Sequence, residues 1–161
     1  MDGRFVANEL LAAFGRMLTV DGLRLGEEDN SCVLLFDGNL ALTIEYDESM
    51  ERLVFSVYLE QLPGESAERL LRELLAANFY WIGAGGATLC LEDTTGAIIL
   101  LYASRIPELD DARFERIVEN LLATAERWRE RIIAHRTGTA AGDDGTAQSP
   151  AKLPEVPLIY G

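Results

Sequence analysis

The side chains in this 161-residue sequence that could do chemistry are few, and their spacing argues against most reactions. The one histidine, His135, lies near the end of the last helical segment, where an exposed or helix-capping role is expected. A catalytic triad or a histidine-ligated zinc needs an imidazole better placed among partners. Cys32 and Cys90 fall inside expected strands and have no CxxC partner, so they read as reduced core thiols that cannot close a zinc site alone. Carboxylates cluster at Glu27-Glu28-Asp29 and at Asp47, Glu48 and Glu51. Neither cluster alternates oxygen ligands up to a distant closing Glu, as a calcium loop must, and both read as solvated turns. The glycines of Gly83-Ala84-Gly85-Gly86 miss the dinucleotide fingerprint, because they lead into a strand instead of opening a helix. No Lys, Ser or Cys sits among them, so they form neither a phosphate cradle nor a nucleophile elbow.

The elements around these residues are legible. Val6, Leu10, Ala13, Phe14 and Met17 share one face of a helix from Gly3 to Leu18, and Leu11 and Leu18 widen its apolar stripe. A short strand at Leu23–Gly26 follows, then strands at Cys32–Phe36, Leu40–Tyr46 and Leu53–Glu60, with a tight turn at Asp37-Gly38. Pro63-Gly64 breaks the chain, and Ser66 caps a helix reaching about Phe79. That helix runs into the glycine corner, with Tyr80 and Trp81 pinned there. Strands at Ala87–Glu92 and Ala97–Arg105 come next, and Ile98–Tyr102 is apolar on both faces, as an internal strand is. Asp110 caps a long last helix whose inner face carries Phe114, Ile117, Leu121, Ala125, Trp128 and Ile132.

Strands in consecutive blocks between helices predict an α+β domain: a twisted antiparallel sheet with three helices, in the order α-β-β-β-α-β-β-α, or with one more strand in the first block when the short Leu23–Gly26 run is counted. Residues 1–135 form that domain and 136–161 a flexible tail rich in Gly, Ala, Thr, Asp and Pro. The final LPEVPLIYG is apolar for a tail, and reads either as a chance remnant or as a short docking segment.

Charge narrows the partners. The chain carries 14 basic and 27 acidic residues, a net charge of −13. Such a surface repels phosphate backbones and anionic membranes, so neither nucleic acid nor membrane is an expected partner. No basic, then apolar, leader opens the sequence, and no stretch approaches the ~18 apolar residues of a membrane helix. A cytoplasmic location is expected.

The run LLRELLAANFYWIGAGGATLCLED resembles the signature region of class I type III secretion chaperones, the CesT/Tir chaperone-like family. Leu74, Leu75, Asn78, Trp81, Gly83, Gly85, Gly86, Ala87, Thr88, Leu89, Leu91 and Glu92 carry that resemblance. Phe14, Gly15 and Leu18 in the first helix and Ala125-Glu126-Arg127-Trp128 in the last extend it to about residues 4–134. Cys90 departs from the pattern, standing where the family usually places a small residue. The resemblance implies an acidic cytoplasmic homodimer without nucleotide or metal cofactor. It would bind the N-terminal segment of a secreted effector, keep it extended and deliver it to the export apparatus, with the secretion ATPase as a further partner. The expected dimer interface uses Leu70, Leu74, Leu75, Asn78, Trp81, Gly85, Gly86, Thr88, Leu89 and Leu91. The expected effector groove uses Leu11, Phe14, Leu18, Leu23 and Leu25. Two other classes stay open: an α+β adaptor or immunity-type protein that grips a folded partner, and a small carboxylate-dependent enzyme.

Overall fold

The computed structural model describes residues 2–36, 40–65 and 67–138. The expected Asp37-Gly38 turn, the Ser66 cap and nearly all of the tail lie outside these residues. The order is α1 (Gly3–Leu18), β1 (Ser31–Phe36), β2 (Leu40–Asp47), β3 (Arg52–Gln61), α2 (Ala67–Ala77), β4 (Thr88–Glu92), β5 (Ala97–Arg105) and α3 (Asp111–Thr137). A single 3-10 turn, Phe79–Trp81, follows α2, and a second, Ile106–Glu108, precedes α3. The five strands form one antiparallel sheet in the order β1-β2-β3-β5-β4. β5 is therefore internal, as its two apolar faces required, while β1 and β4 are the edges.

One face of the sheet carries the core. Cys32, Leu42, Ile44, Phe55, Val57, Leu89 and Leu100 are buried there, one from each successive pleat, beneath the helices. Three rings tie the layers together: Phe114 of α3 meets Phe14 of α1 and Phe55 of β3 edge-on, at centroid distances of 5.3 and 5.5 Å. Asp110 caps α3, its carboxylate accepting from the Arg113 N–H at 2.7 Å. Asp2 does the same for α1, accepting from Arg4.

Four expectations are corrected. Leu23–Gly26 is not a strand; it is an irregular segment pinned to α1. The Asn8 side chain accepts the Leu25 N–H at 2.9 Å, and Arg4 donates to the Gly26 carbonyl, so these backbone groups are spent on a helix instead of a neighbouring strand. The inner face of α1 is rotated from the expected one: Gly3, Ala7, Leu10, Leu11, Phe14 and Gly15 are buried, while Met17 is exposed. Leu11 is thus core and does not flank it. His135 is neither exposed nor a cap. It is buried, and its Nε2 lies 3.1 Å from Glu73 Oε1, which ties α3 to α2; Arg131 approaches the other Glu73 oxygen at 3.8 Å. Finally, Tyr80 and Trp81 sit at the corner but are not pinned into it. Both side chains are exposed.

Candidate functional site

The helix-to-strand corner holds two consecutive non-glycine residues at positive φ. Tyr80 and Trp81 have φ of 50° and 56°, a region that non-glycine residues seldom enter, and Gly85 and Gly86 follow at 62° and 85°. The path is nevertheless held by backbone hydrogen bonds. The Gly83 N–H donates to Ala77, Gly86 to Trp81 and Ala87 to Ala84. Two side chains of α3 clamp it from beneath: Trp128 Nε1 donates to the Gly83 carbonyl at 3.0 Å, and Asn120 donates to the Gly85 carbonyl at 2.6 Å. Strained residues persist only where the surroundings over-determine them, and they gather at functional sites. Here the strained path turns four consecutive large side chains outward. Phe79, Tyr80, Trp81 and Ile82 are all exposed, Ile82 at 82 %. Leu75 on α2, 71 % exposed, and Leu91 on β4 extend the same apolar region.

The residues expected at a dimer interface divide in two. Leu70, Leu74 and Leu89 are buried within the protomer itself, Gly85 packs against α3, and Thr88 is half-buried. Leu75, Trp81, Gly86 and Leu91 are exposed. Asn78 has a different task. Its amide donates to the Leu89 carbonyl at 3.0 Å and accepts the Leu89 N–H at 2.9 Å, closing one backbone pair on the outer edge of β4. Such a bidentate side-chain bridge blunts an edge that would otherwise pair with any passing strand. Phe79, Tyr80 and Ile82 were not among the residues expected at an interface, although they are exposed beside it. Four large apolar residues in a row cannot all face one side of a helix, and that was the available signal.

The second exposed apolar region lies at the C-terminal end of α1. Met17, Leu18 and Val20 are exposed there, Leu18 at 38 %, and Leu23 is half-buried. Of the other residues expected to meet an effector, Leu11 and Leu25 are locked in the core. Phe14 is mostly buried but lines a shallow groove of about 320 Å³ between α1 and α3, with Leu10, Ala13 and Met17 as its floor and Asp111 and Glu115 at its lip. On the edge strand β1, Val33 and Leu35 are also exposed, but on the sheet face turned away from α1.

The acidic turns act on their own backbone. Asp47 accepts from Ser49, Met50 and Arg52, and the Ser49 hydroxyl above all holds its carboxyl below the ordinary value. Glu92 is pulled down to about 2, chiefly by the Thr95 hydroxyl and then by the Thr94 and Thr95 N–H groups, which closes the β4–β5 turn. Burial raises both cysteine thiols, which keeps them protonated at neutral pH. A cleft of about 530 Å³ beside the glycine corner is lined by Gly85, Tyr102, Arg113, Arg116, Ile117 and Asn120. Its polar side chains are guanidinium, amide and the Tyr102 phenol, with none of the paired carboxylates that a carboxylate-dependent mechanism requires. Among the described residues, no three His, Cys, Asp or Glu side chains gather as a metal would need.

Residues 9–129 match the family model described as the Tir chaperone protein (CesT) family. The chain belongs to that family. It is a type III secretion chaperone, and the helix–corner–strand run that carried the resemblance lies inside the matched span. Solved structures agree in fold. A chain of the ExsC-ExsE complex, solved by crystallography, shares 27 % identity, covering 81 % of this chain and 96 % of that one, with a TM-score of 0.71. A chain of the HopA1-SchA chaperone-effector complex shares 24 % identity over 79 % of this chain and 95 % of that one, with a TM-score of 0.65. One from the Yersinia pestis type III secretion chaperone SycH in complex with a fragment of YscM2 shares 16 %, covering 75 % and 98 %, with a TM-score of 0.61. No curated protein sequence matches the chain. No helix among the described residues is long and apolar enough to cross a membrane.

Proposed function

We propose that this chaperone is a cytoplasmic homodimer that binds the N-terminal segment of a secreted effector, holds it extended and presents it to the export apparatus, with the secretion ATPase as a docking point. It acts by binding and performs no reaction. The observation that carries this reading is the separation of two exposed apolar regions on one acidic domain. A region around Leu75, Phe79, Trp81, Ile82 and Leu91 suits a second copy of the chain. Another, at Met17, Leu18, Val20 and Leu23 beside the Phe14 groove, suits cargo. Exposed apolar patches of this kind mark interaction sites, and a net charge of −13 keeps them soluble when empty. The HopA1-SchA structure, a chaperone with its effector, lends the fold a precedent for that use.

An extended segment can dock apolar side chains at the α1 end and along the Phe14 groove, while its basic residues face Asp111 and Glu115. Each buried leucine-sized side chain contributes roughly 1.5–3 kcal/mol, so several are needed to offset the ordering of the segment. The double substitution Met17→Asp with Leu18→Asp should abolish co-purification of a co-expressed effector N-terminal segment. Its circular dichroism spectrum should stay unchanged, because both side chains already face solvent. Leu11→Asp, by contrast, should unfold the protein, since Leu11 has no exposed surface. Retention of cargo at normal affinity by the double variant would place the groove elsewhere.

A further inference from the structure

The helices cover one face of the sheet, and the other face carries an apolar band. Across it, register places Val33, Thr43, Ser56, Leu101 and Thr88 in one row. The next row, toward the C-terminal end of β3, places Leu35 beside Ala41, and Tyr58 beside Ile99 and Cys90. Leu35 is 73 % and Tyr58 41 % exposed, while Ile99 and Leu101 are half-buried and take no part in the core. Among the described residues, no helix packs on this face.

The end of α3 approaches this face. Arg136 reaches over the sheet end and donates to Glu60 Oε1 at 3.2 Å. Glu60 pairs with Ile98, immediately next to the Tyr58–Ile99–Cys90 row. The helix stops at Thr137, and Gly138 turns the chain with φ of 74°. The sequence then continues through small and polar residues to Leu153-Pro154-Glu155-Val156-Pro157-Leu158-Ile159-Tyr160. The stretch from 139 to 152 can span roughly 45–50 Å when extended, at about 3.3–3.6 Å per residue. The whole five-strand sheet is only about 20 Å wide, at about 4.8 Å per strand spacing. Two prolines remove two backbone donors from this apolar segment, so it is poorly suited to extending a strand edge and better suited to lying across a face.

We propose that residues 153–160 dock on the open face of their own chain's sheet, over Leu35, Tyr58 and Ile99, as an internal stand-in for a ligand. Tethering sets an effective concentration in the millimolar range, so even a weak contact keeps the face covered. The consequence is a surface that an outside apolar segment can take only by displacing the tail.

Lys152 is the sole lysine of the chain, so a lysine-specific protease cuts it once, at the base of this segment. In the full-length protein that cut should be slow, and at least 5-fold faster in the variant L35D/Y58D, whose changes fall on exposed side chains. Conversely, L158D/I159D should speed iodoacetamide alkylation of Cys90, which shares the covered row, at least 5-fold, with buried Cys32 unreactive as the internal control. Equal cleavage rates, or Cys90 alkylation indifferent to the tail variant, would overturn the proposal. Cleavage protection that falls on dilution would show the segment docking on a second copy, and would overturn the same-chain assignment. No cargo enters either experiment, so their failure leaves the chaperone reading untouched.

Discussion

Gly85→Val should destabilise the protein by about 2–6 kcal/mol, more than Gly86→Val at the neighbouring position. Both residues hold positive φ, which costs a β-branched side chain about 1–3 kcal/mol. Only Gly85 also lacks space: a Cβ there would lie 2.6 Å from Thr124 Oγ1 on α3, with Asn120 at 3.5 Å. Overpacking of that kind adds about 1–3 kcal/mol. At Gly86 a Cβ meets nothing within 4 Å, so strain acts alone. In a domain of this size each kcal/mol shifts the melting temperature by about 2–4 °C. Thermal denaturation followed by circular dichroism should therefore rank the variants wild type, Gly86→Val, Gly85→Val. Equal losses would mean that the corner is not held against α3 by the Asn120 and Trp128 bonds.

The second large effect concerns self-association. Leu75→Asp combined with Ile82→Asp should leave a folded protomer that no longer pairs. Both side chains are exposed in the single chain, so neither charge is buried on folding. In a dimer built on this region both would be buried without partners, and an uncompensated buried charge costs several kcal/mol. A specific interface also needs upwards of ~1,000 Å² of total buried surface, which the four-residue run Phe79–Ile82 with Leu75 and Leu91 can begin to supply. Light scattering at micromolar concentration should give twice the 17.8 kDa chain mass for the native protein and 17.8 kDa for the variant. A native protein that scatters as a monomer would remove the dimer from the mechanism.

Much of the fold was legible because local signals agreed with one another. Asp110 capped the last helix as its type and place required, and the alternation in β2 and β3 read out their buried faces. The Gly85-Gly86 pair also marked two positions of positive φ. The misses share a cause: tertiary contacts reuse groups that the sequence shows only as types. The inner face of α1 was judged from its large residues, but small ones face the core there. A Cβ on Gly15 would lie 2.6 Å from the Val20 carbonyl, and one on Gly3 would collide with the Tyr46 hydroxyl. Glycine at a close approach is invisible to apolar periodicity, and so the stripe was rotated and Leu11 misplaced. The Leu23–Gly26 alternation looked like a strand because nothing in it announces that Asn8 takes the Leu25 N–H. His135 had a visible signal: with Leu121, Ala125, Trp128 and Ile132 it continues the 4-3-4-3 spacing of the buried stripe of α3. The region proposed for self-association was chosen from its motif, yet its most exposed side chains, Phe79 to Ile82, owe their outward direction to two strained residues that no propensity would place there.

The binding reading stands or falls on the state of the bound partner. The most direct measurement is hydrogen exchange, by mass spectrometry, on a complex between the full-length chain and the N-terminal segment of a secreted protein encoded beside it. The expected pattern is new protection at Met17–Val20 and along the Phe14 groove of the chaperone. In the partner, protection should be confined to the short stretches in contact, with the rest of the segment exchanging as an unfolded chain does. A partner that binds only as a folded domain, with protection throughout its own core and none at the α1 end of this chain, would contradict it.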